Sequence, residues 1–265
     1  MDAGPPSVTQ PSIYMPIALQ AMDIASQIAR EMPSVVDAKG DRDMVSDVDV
    51  RIDCAVRAYL AGQTPQLGFL GEEIGDAPGS NELQWVLDPI DGTANFVKGI
   101  PLYAVSLALV TRQEPILGII DIPADRCRYV AALGWGAYCG DEALRVRPTQ
   151  QLKEAIVTVG DYAVGDQAAK KNQTRLAVTG LLAQRALRVR MLGSAAIDLA
   201  WLAHGRTDAA IIFGGKPWDT AAGVILVREA GGSVTDSHGQ RHKIGSTSTV
   251  AASPVLMDQV LEVMA

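Results

Sequence analysis

A change of pattern near residue 150 is the sequence feature that most constrains the fold. Between residues 62 and 150, apolar stretches of strand length follow one another with glycine-containing turns between them, whereas beyond residue 150 such stretches alternate with longer ones of helical spacing. Consecutive strands are typical of an α+β unit, and alternation is typical of an α/β unit. We therefore predict an α/β protein with an N-terminal α+β subdomain at 15–150 and a C-terminal α/β subdomain at 151–265.

The ends and connectors of these elements follow from the same periodicity. Apolar residues recur at helical spacing over 15–32 and 45–60, which predicts two N-terminal helices. The charged connector between them, 35–44, contains Lys39, which we interpret as a surface residue. Residues 1–14 carry three prolines and an acid where a secretory signal carries basic residues, so we expect a flexible leader. The predicted strands are 67–71, 85–88, 103–110, 115–122, 128–133, 155–160, 187–192, 208–213 and 232–236, and the later helices are 171–184, 194–205 and 219–230.

Charge and hydropathy exclude two classes of partner. The formal net charge is −7 and the pI is about 5.0, so a general nucleic-acid interface, which needs clustered Lys and Arg, is not expected. No apolar run reaches the roughly eighteen residues that span a bilayer. We therefore expect a cytoplasmic protein with no membrane partner.

The cysteines and histidines offer no obvious zinc site. Cys54, Cys127 and Cys139 are odd in number and lack CxxC spacing, so we expect reduced thiols. His204 follows a predicted helix, where a cation at the C-terminal end is favourable. The other two histidines, at 238 and 242, lie in a polar turn and are expected to be solvent-exposed.

The segment WVLDPIDGTANF, residues 85–96, places two aspartates three positions apart after an apolar strand. Pro89 restricts the backbone between them, so the carboxylates of Asp88 and Asp91 and the carbonyl of Ile90 can be directed towards one point. Hard oxygen ligands of this kind favour Mg²⁺ or Mn²⁺ over zinc. Taken alone, two such aspartates are more often ordinary turn or capping residues.

Three further features favour phosphate chemistry. Gly92 and Thr93 begin a predicted short helix, whose free N–H groups attract a phosphate oxygen. Glu72 lies between glycines after an apolar strand, and Asp219 begins an apolar helix. Each acid alone fits an acidic turn or a helix cap. Metal and phosphate bound side by side are what metal-assisted phosphoryl transfer requires.

Together, three segments closely resemble the motifs of the inositol monophosphatase family, whose members are Mg²⁺-dependent, lithium-sensitive phosphatases. The segments are LGEEIG at 70–75, WVLDPIDGTANF at 85–96 and KPWDTAAGVILVREAGG at 216–232. The resemblance covers nearly the whole chain, and DPIDGTxNF is its most specific motif. It implies a layered αβαβα sugar-phosphatase sandwich, usually a homodimer. It also implies two or three Mg²⁺ ions, for which Mn²⁺ is a possible substitute, and a small phosphate ester as substrate, inositol 1-phosphate foremost.

The resemblance also implies roles for individual residues. The implied metal ligands are Glu72, Asp88, the Ile90 carbonyl, Asp91 and Asp219. The implied substrate contacts are Asp91, Gly92, Thr93, Gly193, Ser194, Ala195 and Asp219. The segment MVSDVD resembles the family's LVTxAD, which places Asp49 in the role of the acid that pairs with Thr93. Asp47 is then expected to cap the second helix.

The mechanism implied is direct attack on phosphorus by a metal-activated water, which Glu72 and the Thr93–Asp49 pair position and deprotonate. Two alternatives stay open. A related phosphatase would act on 3′-phosphoadenosine 5′-phosphate, fructose 1,6-bisphosphate or histidinol phosphate with the same metals. A non-catalytic regulatory protein of the same fold would have lost ligands or gained a basic face.

One position departs from the family's pattern. Seven residues before the Asp219 position the family carries an acid that accepts hydrogen bonds from inositol hydroxyls, and this chain has Ile212. An isoleucine side chain cannot accept a hydrogen bond. Either the site is tolerant of several alcohol phosphates, or Ile212 is a core residue of its strand and another acceptor takes over.

Overall fold

Helices and strands are described in a computed structural model for residues 11–40 and 43–264. The helices are α1 (Met15–Ile28), α2 (Asp47–Gln63), α3 (Thr93–Val97), α4 (Ala168–Arg185), α5 (Ala195–Ala203), α6 (Pro217–Glu229) and α7 (Met257–Met264). The strands of the first half are β1 (Val36–Gly40), β2 (Asp43–Ser46), β3 (Gly68–Gly71), β4 (Gly75–Ala77), β5 (Gln84–Asp91), β6 (Ala104–Val110), β7 (Pro115–Ile122), β8 (Cys127–Ala132), β9 (Gly136–Cys139) and β10 (Glu142–Ala143). Those of the second half are β11 (Ile156–Val159), β12 (Arg188–Arg190), β13 (Ala209–Phe213), β14 (Ser233–Thr235) and β15 (Ser248–Ala252).

The larger sheet belongs to the first half of the chain and has the strand order β10-β9-β8-β7-β6-β5-β3-β4. Strand β3 runs parallel to β5, and β5 runs antiparallel to β6. The register between β5 and β6 shifts between Asp88, which pairs with Ser106, and Asp91, which pairs with Ala104. This irregularity acts as a β-bulge, which changes the direction of the last residues of the strand.

The smaller sheet belongs to the second half and has the order β12-β11-β13-β15-β14. Strand β11 is parallel to both β12 and β13, whereas β15 is antiparallel to β13 and β14. Because parallel neighbours end at the same edge of a sheet, the segments that follow β11 and β13 lie side by side. The residues at this edge contribute to the cleft described below.

Three helical layers separate and cover the two sheets. Helices α5 and α6 lie between the sheets, since α6 contacts strands β5 to β9 and α5 contacts β13 and β15. Helices α1 and α2 pack on the other face of the larger sheet, and α4 and α7 contact the smaller one at β12 and β15. The resulting order of layers, α-β-α-β-α, confirms the predicted sandwich. Its central core contains Ile120 of the larger sheet, Leu199 of α5 and Ile225 of α6.

The two predicted N-terminal helices are confirmed, but their connector is not an irregular surface segment. Strands β1 and β2 form an antiparallel hairpin in which Val36 pairs with Ser46, and this hairpin carries Lys39. The predicted leader falls mainly on residues 1–10, which lie outside the described residues. Its last part forms a 3-10 turn at Pro11–Ile13, and Tyr14 is buried with its ring edge-on to Trp85 at 6.2 Å between centroids.

Two of the three cysteines, which we expected as reduced thiols, lie close together. Cys127 on β8 and Cys139 on β9 have their Cα atoms 6.1 Å apart, within the range that a disulfide spans. The two strands are antiparallel neighbours in which Tyr129 pairs with Cys139, so Cys127 lies diagonally across from Cys139. Cys54 is free and exposed.

The histidine expectations are correct at two positions and wrong at the third. His204 follows the last residue of α5, and its Nδ1 lies 3.1 Å from the Tyr129 hydroxyl. His238 is exposed. His242, in contrast, is only 2% exposed, and its Nε2 lies 2.9 Å from Thr249 Oγ1. Burial lowers the pKa of His242 to about 4, so the ring is neutral near pH 7.

Among the described residues, every helix is too short or too polar to cross a membrane.

Candidate active site

A cleft of about 250 Å³ collects most of the residues that the motifs singled out. It lies where β5 ends and where α3, α5 and α6 begin, and residues at the ends of β11 and β13 also line it. The lining residues are Glu72, Asp88, Ile90, Asp91, Gly92, Thr93, Gly160, Asp161, Gly193, Ser194, Ala195, Ile212, Phe213, Gly215 and Asp219. Of the predicted site residues, Asp49 alone does not line it, and Asp49 reaches it through Thr93.

Asp88 lies deepest of the acids, in the bulged part of β5. Its side chain is 2% exposed, and its Oδ1 has no hydrogen-bond partner among the described residues. Burial raises the pKa of Asp88 well above its usual value, and the charges of Glu72 and Asp91 raise it further. An unpaired buried carboxylate oxygen is costly, so this atom points to a cation that the cleft is built to hold.

Asp91 connects β5 to the beginning of α5. Its Oδ2 accepts hydrogen bonds from the Ser194 hydroxyl and from Ala196 N, at 2.6 Å for the latter. Burial raises the pKa of Asp91 to about 6, although these two hydrogen bonds oppose the rise. The N-terminal end of a helix favours a negative charge, which explains why Asp91 faces it.

Asp219 is the third residue of α6, and its Oδ2 accepts a hydrogen bond of 2.7 Å from Lys216 N. Burial raises the pKa of Asp219 to about 7, with the Asp91 and Glu72 charges adding to the rise. Asp219 therefore caps its own helix, which is the ordinary role that the sequence alone suggests for it. It also lines the cleft, so the two roles coexist.

Lys39 is exposed, as the sequence suggested, and it also forms two ion pairs with acids at the rim of the cleft. Its Nζ lies 2.9 Å from Glu72 Oε1 and 2.5 Å from Glu73 Oε1, because the β1–β2 hairpin brings it to the end of β3. Burial raises the pKa of Glu73 to about 7 in spite of this ion pair. The hairpin thus places one positive charge at the rim of an acidic cleft.

Thr93 and Asp49 form the pair that the motifs implied. Thr93 Oγ1 lies 3.2 Å from Asp49 Oδ1 and 3.0 Å from the Ile90 carbonyl oxygen, so its single proton is directed into the protein. Asp49 is fully buried and its other oxygen, Oδ2, accepts hydrogen bonds from the backbone N–H and the hydroxyl of Ser46. The Thr93 oxygen therefore keeps lone pairs for a proton offered from the cleft.

The role expected for Asp47 is wrong. Ser46 is the N-cap of α2, and its hydroxyl accepts from Asp49 N in a capping box. Asp47 lies one position inside the helix and accepts instead from the backbone N–H groups of Ser34 and Val35, at 2.9 and 3.1 Å. It fixes the segment that leads into β1 rather than the helix that it begins.

Two glycines allow the helix beginnings to meet. Gly92 has φ +92°, and a Cβ there would lie 2.9 Å from the Leu102 carbonyl oxygen and 3.0 Å from that of Gly193. Gly193 has φ +73°, and its Cβ would lie 2.8 Å from Asn95 Nδ2. Asn95 holds this arrangement together, because its Nδ2 donates to the carbonyls of Leu102 and Leu192 at 2.7 and 2.8 Å. A side chain at either glycine would separate α3 from α5.

The carboxylates are not yet arranged around one point. In residues 11–40 and 43–264, no three His, Cys, Asp or Glu side chains are placed to hold a metal ion together. Glu72, Asp91 and Asp219 instead interact with the protein donors described above, whereas Asp88 has the free oxygen. The donor set, all oxygen, fits a hard divalent cation.

The position of Ile212 agrees with both interpretations, that it is a core residue of its strand and that it makes the site tolerant of several alcohol phosphates. It belongs to β13, pairs with Thr249 of β15 and is 6% exposed, as expected of a core residue. It also lines the cleft, so the cleft lining is apolar at this residue.

Asp161, which motif analysis missed, also lines the cleft. No local pattern distinguishes Asp161 from other exposed acids, and its relevance depends on the parallel pairing of β11 with β13.

A larger cavity of about 590 Å³ lies elsewhere, between β14 and the end of α6. Its charged side chains already neutralise one another, since Glu114 pairs with both Arg228 and Arg241. The smaller cleft is the one that combines an unpaired buried oxygen with acids of raised pKa. Perturbed carboxyl groups of this kind cluster at functional sites.

A layered α/β sandwich with an all-oxygen acidic cleft beside two helix beginnings defines the class of metal-dependent phosphatases. The comparison with protein families agrees, because the model of the inositol monophosphatase family matches residues 11–264. The chain belongs to this family, whose members are metal-dependent phosphoric monoester hydrolases.

Individual relatives carry two kinds of name. The inositol-1-monophosphatase of Mesorhizobium japonicum is 36% identical over 247 residues, which cover 91% of this chain and 92% of the relative. The Nus factor SuhB of Escherichia coli is 34% identical over 234 residues, covering 87% and 86%. Among solved structures, the IMPase of Thermotoga maritima has a TM-score of 0.84 and 30% identity, and the match covers 96% of this chain and 97% of that one.

Proposed function

We propose that this chain hydrolyses a small phosphomonoester, inositol 1-phosphate foremost, to the free alcohol and phosphate with Mg²⁺ as cofactor. The observation that carries the proposal is the unpaired Oδ1 of Asp88, buried in a cleft whose other acids have raised pKa values. Glu72, Asp88, the Ile90 carbonyl, Asp91 and Asp219 would hold the metal. When bound, Mg²⁺ neutralises these acids, polarises the ester and makes water more acidic.

The remaining residues bind the phosphate and orient it. Gly92 and Thr93 present the first backbone N–H groups of α3, and Ser194 and Ala195 begin α5 next to Gly92. Oriented N–H groups attract phosphate oxygens without needing to reorganise. Because Asp91 now accepts from Ser194 and Ala196, phosphate binding and the rotation of Asp91 are expected to be coupled.

Thr93 is the residue that receives a proton from the attacking water. Its Oγ1 gives its own proton to Asp49, which is buried and held by Ser46. Burial raises the pKa of Asp49, which makes that carboxylate a better proton acceptor than an exposed aspartate. Glu72, freed from Lys39, positions the water from the opposite side.

Phosphate release from a substrate panel at fixed Mg²⁺ tests the function. The panel contains inositol 1-phosphate, 3′-phosphoadenosine 5′-phosphate, fructose 1,6-bisphosphate and histidinol phosphate. We expect inositol 1-phosphate to give the highest kcat/KM, and we expect Asp91→Asn to reduce it by at least about a hundredfold. Asp166→Asn, an exposed aspartate outside the cleft, is the matched control. Near-normal turnover by folded Asp91→Asn would contradict the assignment.

The relatives named Nus factor SuhB make a regulatory role the second candidate. The acids of the cleft are all present and the chain carries a net charge of −7, which favours catalysis over binding of a nucleic acid. The homodimer, the lithium sensitivity and the cytoplasmic location belong to the proposal as well. Sedimentation of the purified protein and a lithium titration of its phosphatase activity test the first two.

A further inference from the structure

Asp161 lines the cleft, two residues after the end of β11. Strand β11 pairs in parallel with β13, with Val159 opposite Ile211, and Gly160 N donates to the Ile211 carbonyl at 2.9 Å. A Cβ built on Gly160 would lie 3.8 Å from Ile212 Cγ2. The chain therefore brings Asp161 to the side of the cleft where Ile212 offers no polar atom.

Arg175 of α4 fixes the backbone at this edge. Its Nη1 donates to the Asp161 carbonyl, and its Nη2 donates to the Phe213 carbonyl at 2.7 Å. The guanidinium carbon lies 5.6 Å from the centre of the Phe213 ring. One arginine thus ties together the segments that follow β11 and β13, and it does so through backbone atoms.

The Asp161 carboxylate itself is left free by this arrangement. Within the described ranges it accepts no hydrogen bond and forms no ion pair with Arg175. Its side chain is exposed, so water solvates it in the absence of a ligand. A negative charge on the wall of a site for an anionic ester would repel the phosphate group, unless the carboxylate contacts a different part of the substrate.

We propose that Asp161 is the specificity residue that accepts hydrogen bonds from hydroxyl groups of the alcohol part of the substrate. The proposal rests on the phosphatase function proposed above and narrows its substrate class to phosphates of polyhydroxylated alcohols. Asp161 thereby supplies the acceptor that Ile212 cannot. Arg175 is a positioning residue, because it reaches the substrate only through the Asp161 backbone.

A pair of esters that differ only in hydroxyl groups tests the proposal. Inositol 1-phosphate and cyclohexyl phosphate share the ring and the phosphate, so the ratio of their kcat/KM values measures hydroxyl recognition. Asp161→Ala is expected to lower this ratio roughly ten- to a hundredfold, chiefly through KM for inositol 1-phosphate. Asp161→Asn retains an acceptor oxygen and should lower the ratio less. Asp166→Ala removes an exposed acid from the same connection and should leave the ratio as in the wild type.

Two further variants separate hydroxyl recognition from a general structural effect. In the Asp161→Ala background, Ile212→Glu restores an acceptor on the same wall and should recover at least part of the lost ratio. Arg175→Ala should lower the ratio in the wild-type background but not lower it further in Asp161→Ala, because both changes act on one carboxylate. If the two changes lower the ratio additively in the double variant Asp161→Ala/Arg175→Ala, the role of Arg175 is structural and not the positioning of Asp161.

The outcomes distinguish this inference from the function on which it rests. If the wild type hydrolyses both esters and Asp161→Ala keeps the wild-type ratio, the role of Asp161 is overturned and the phosphatase function stands. If the wild type hydrolyses no ester of the panel with Mg²⁺, both proposals fail. Circular dichroism of each variant checks folding, and if Asp161→Ala does not fold, Asp161→Asn and Arg175→Ala carry the same comparison.

Discussion

Asp88 should make the metal-free protein less stable than it would be with an uncharged side chain. Burial and neighbouring charges raise the pKa of Asp88 well above its usual value, so the folded, metal-free protein keeps the proton of this carboxyl to a higher pH than the unfolded chain does. The unfolded chain ionises at about pH 4. Since the folded state binds more protons above that pH, the free energy of unfolding falls as the pH rises, by at most about 1.4 kcal/mol per pH unit for this one group.

Asp88→Asn replaces the protonated acid by a neutral side chain of the same shape that needs no proton. The variant should therefore unfold at a higher temperature than the wild type in EDTA at pH 7. For a chain of this size, each kcal/mol gained should raise the Tm by about 2–4 °C. Below about pH 4 the difference should vanish, because the acid then becomes protonated in the unfolded chain as well.

Thermal unfolding followed by circular dichroism between pH 4.5 and 8 measures this difference. The comparison uses the wild type, Asp88→Asn and the exposed control Asp166→Asn, each in EDTA and again with Mg²⁺. Mg²⁺ should raise the Tm of the wild type and of the control more than that of Asp88→Asn, since binding to the folded state stabilises it. An Asp88→Asn protein that is no more stable than the wild type in EDTA, or whose advantage does not grow with pH, would refute the reasoning.

Two other predictions concern the metal and the buried histidine. EDTA should abolish phosphatase activity and Mg²⁺ should restore it, while Zn²⁺ should do no better because every proposed ligand is oxygen; recovery with zinc alone would contradict this site. His242 has a folded pKa lowered to about 4, so it contributes stability above pH 6.5 that is lost as pH falls towards 4, about 3 kcal/mol in all. Urea denaturation in Mg²⁺-containing buffer measures the free energy of unfolding at each pH. Between pH 6.5 and about 4 this free energy should fall less for His242→Gln than for the wild type. Equal falls would argue against a lowered pKa of His242.

One part of the site that the sequence predicted is encoded in one continuous segment. In residues 85–96 a strand, a proline-containing bulge and a helix beginning follow one another, so Asp88, Asp91 and Thr93 come to one place through local geometry. Ser194 at the beginning of α5 is also recognisable locally, because an N-cap serine precedes an apolar helix. Lys39 and His242 could not be placed in this way. Their surroundings come from a hairpin and from a neighbouring strand, respectively, and a polar local sequence indicates only exposure.

Asp161 shows the same limit at the level of function. The sequence reveals that an acid is absent at Ile212, but the residue that replaces it lies about fifty positions earlier, in a segment with no motif. What relates the two positions is the parallel register of β11 and β13, which brings both chain segments to one edge of the sheet. Arg175 then donates to two carbonyl oxygens at that edge. These hydrogen bonds involve the backbone, so they do not depend on which side chains the two residues carry. Substrate specificity at this edge of the sheet can therefore change by substitution at either position while the proposed metal ligands stay the same.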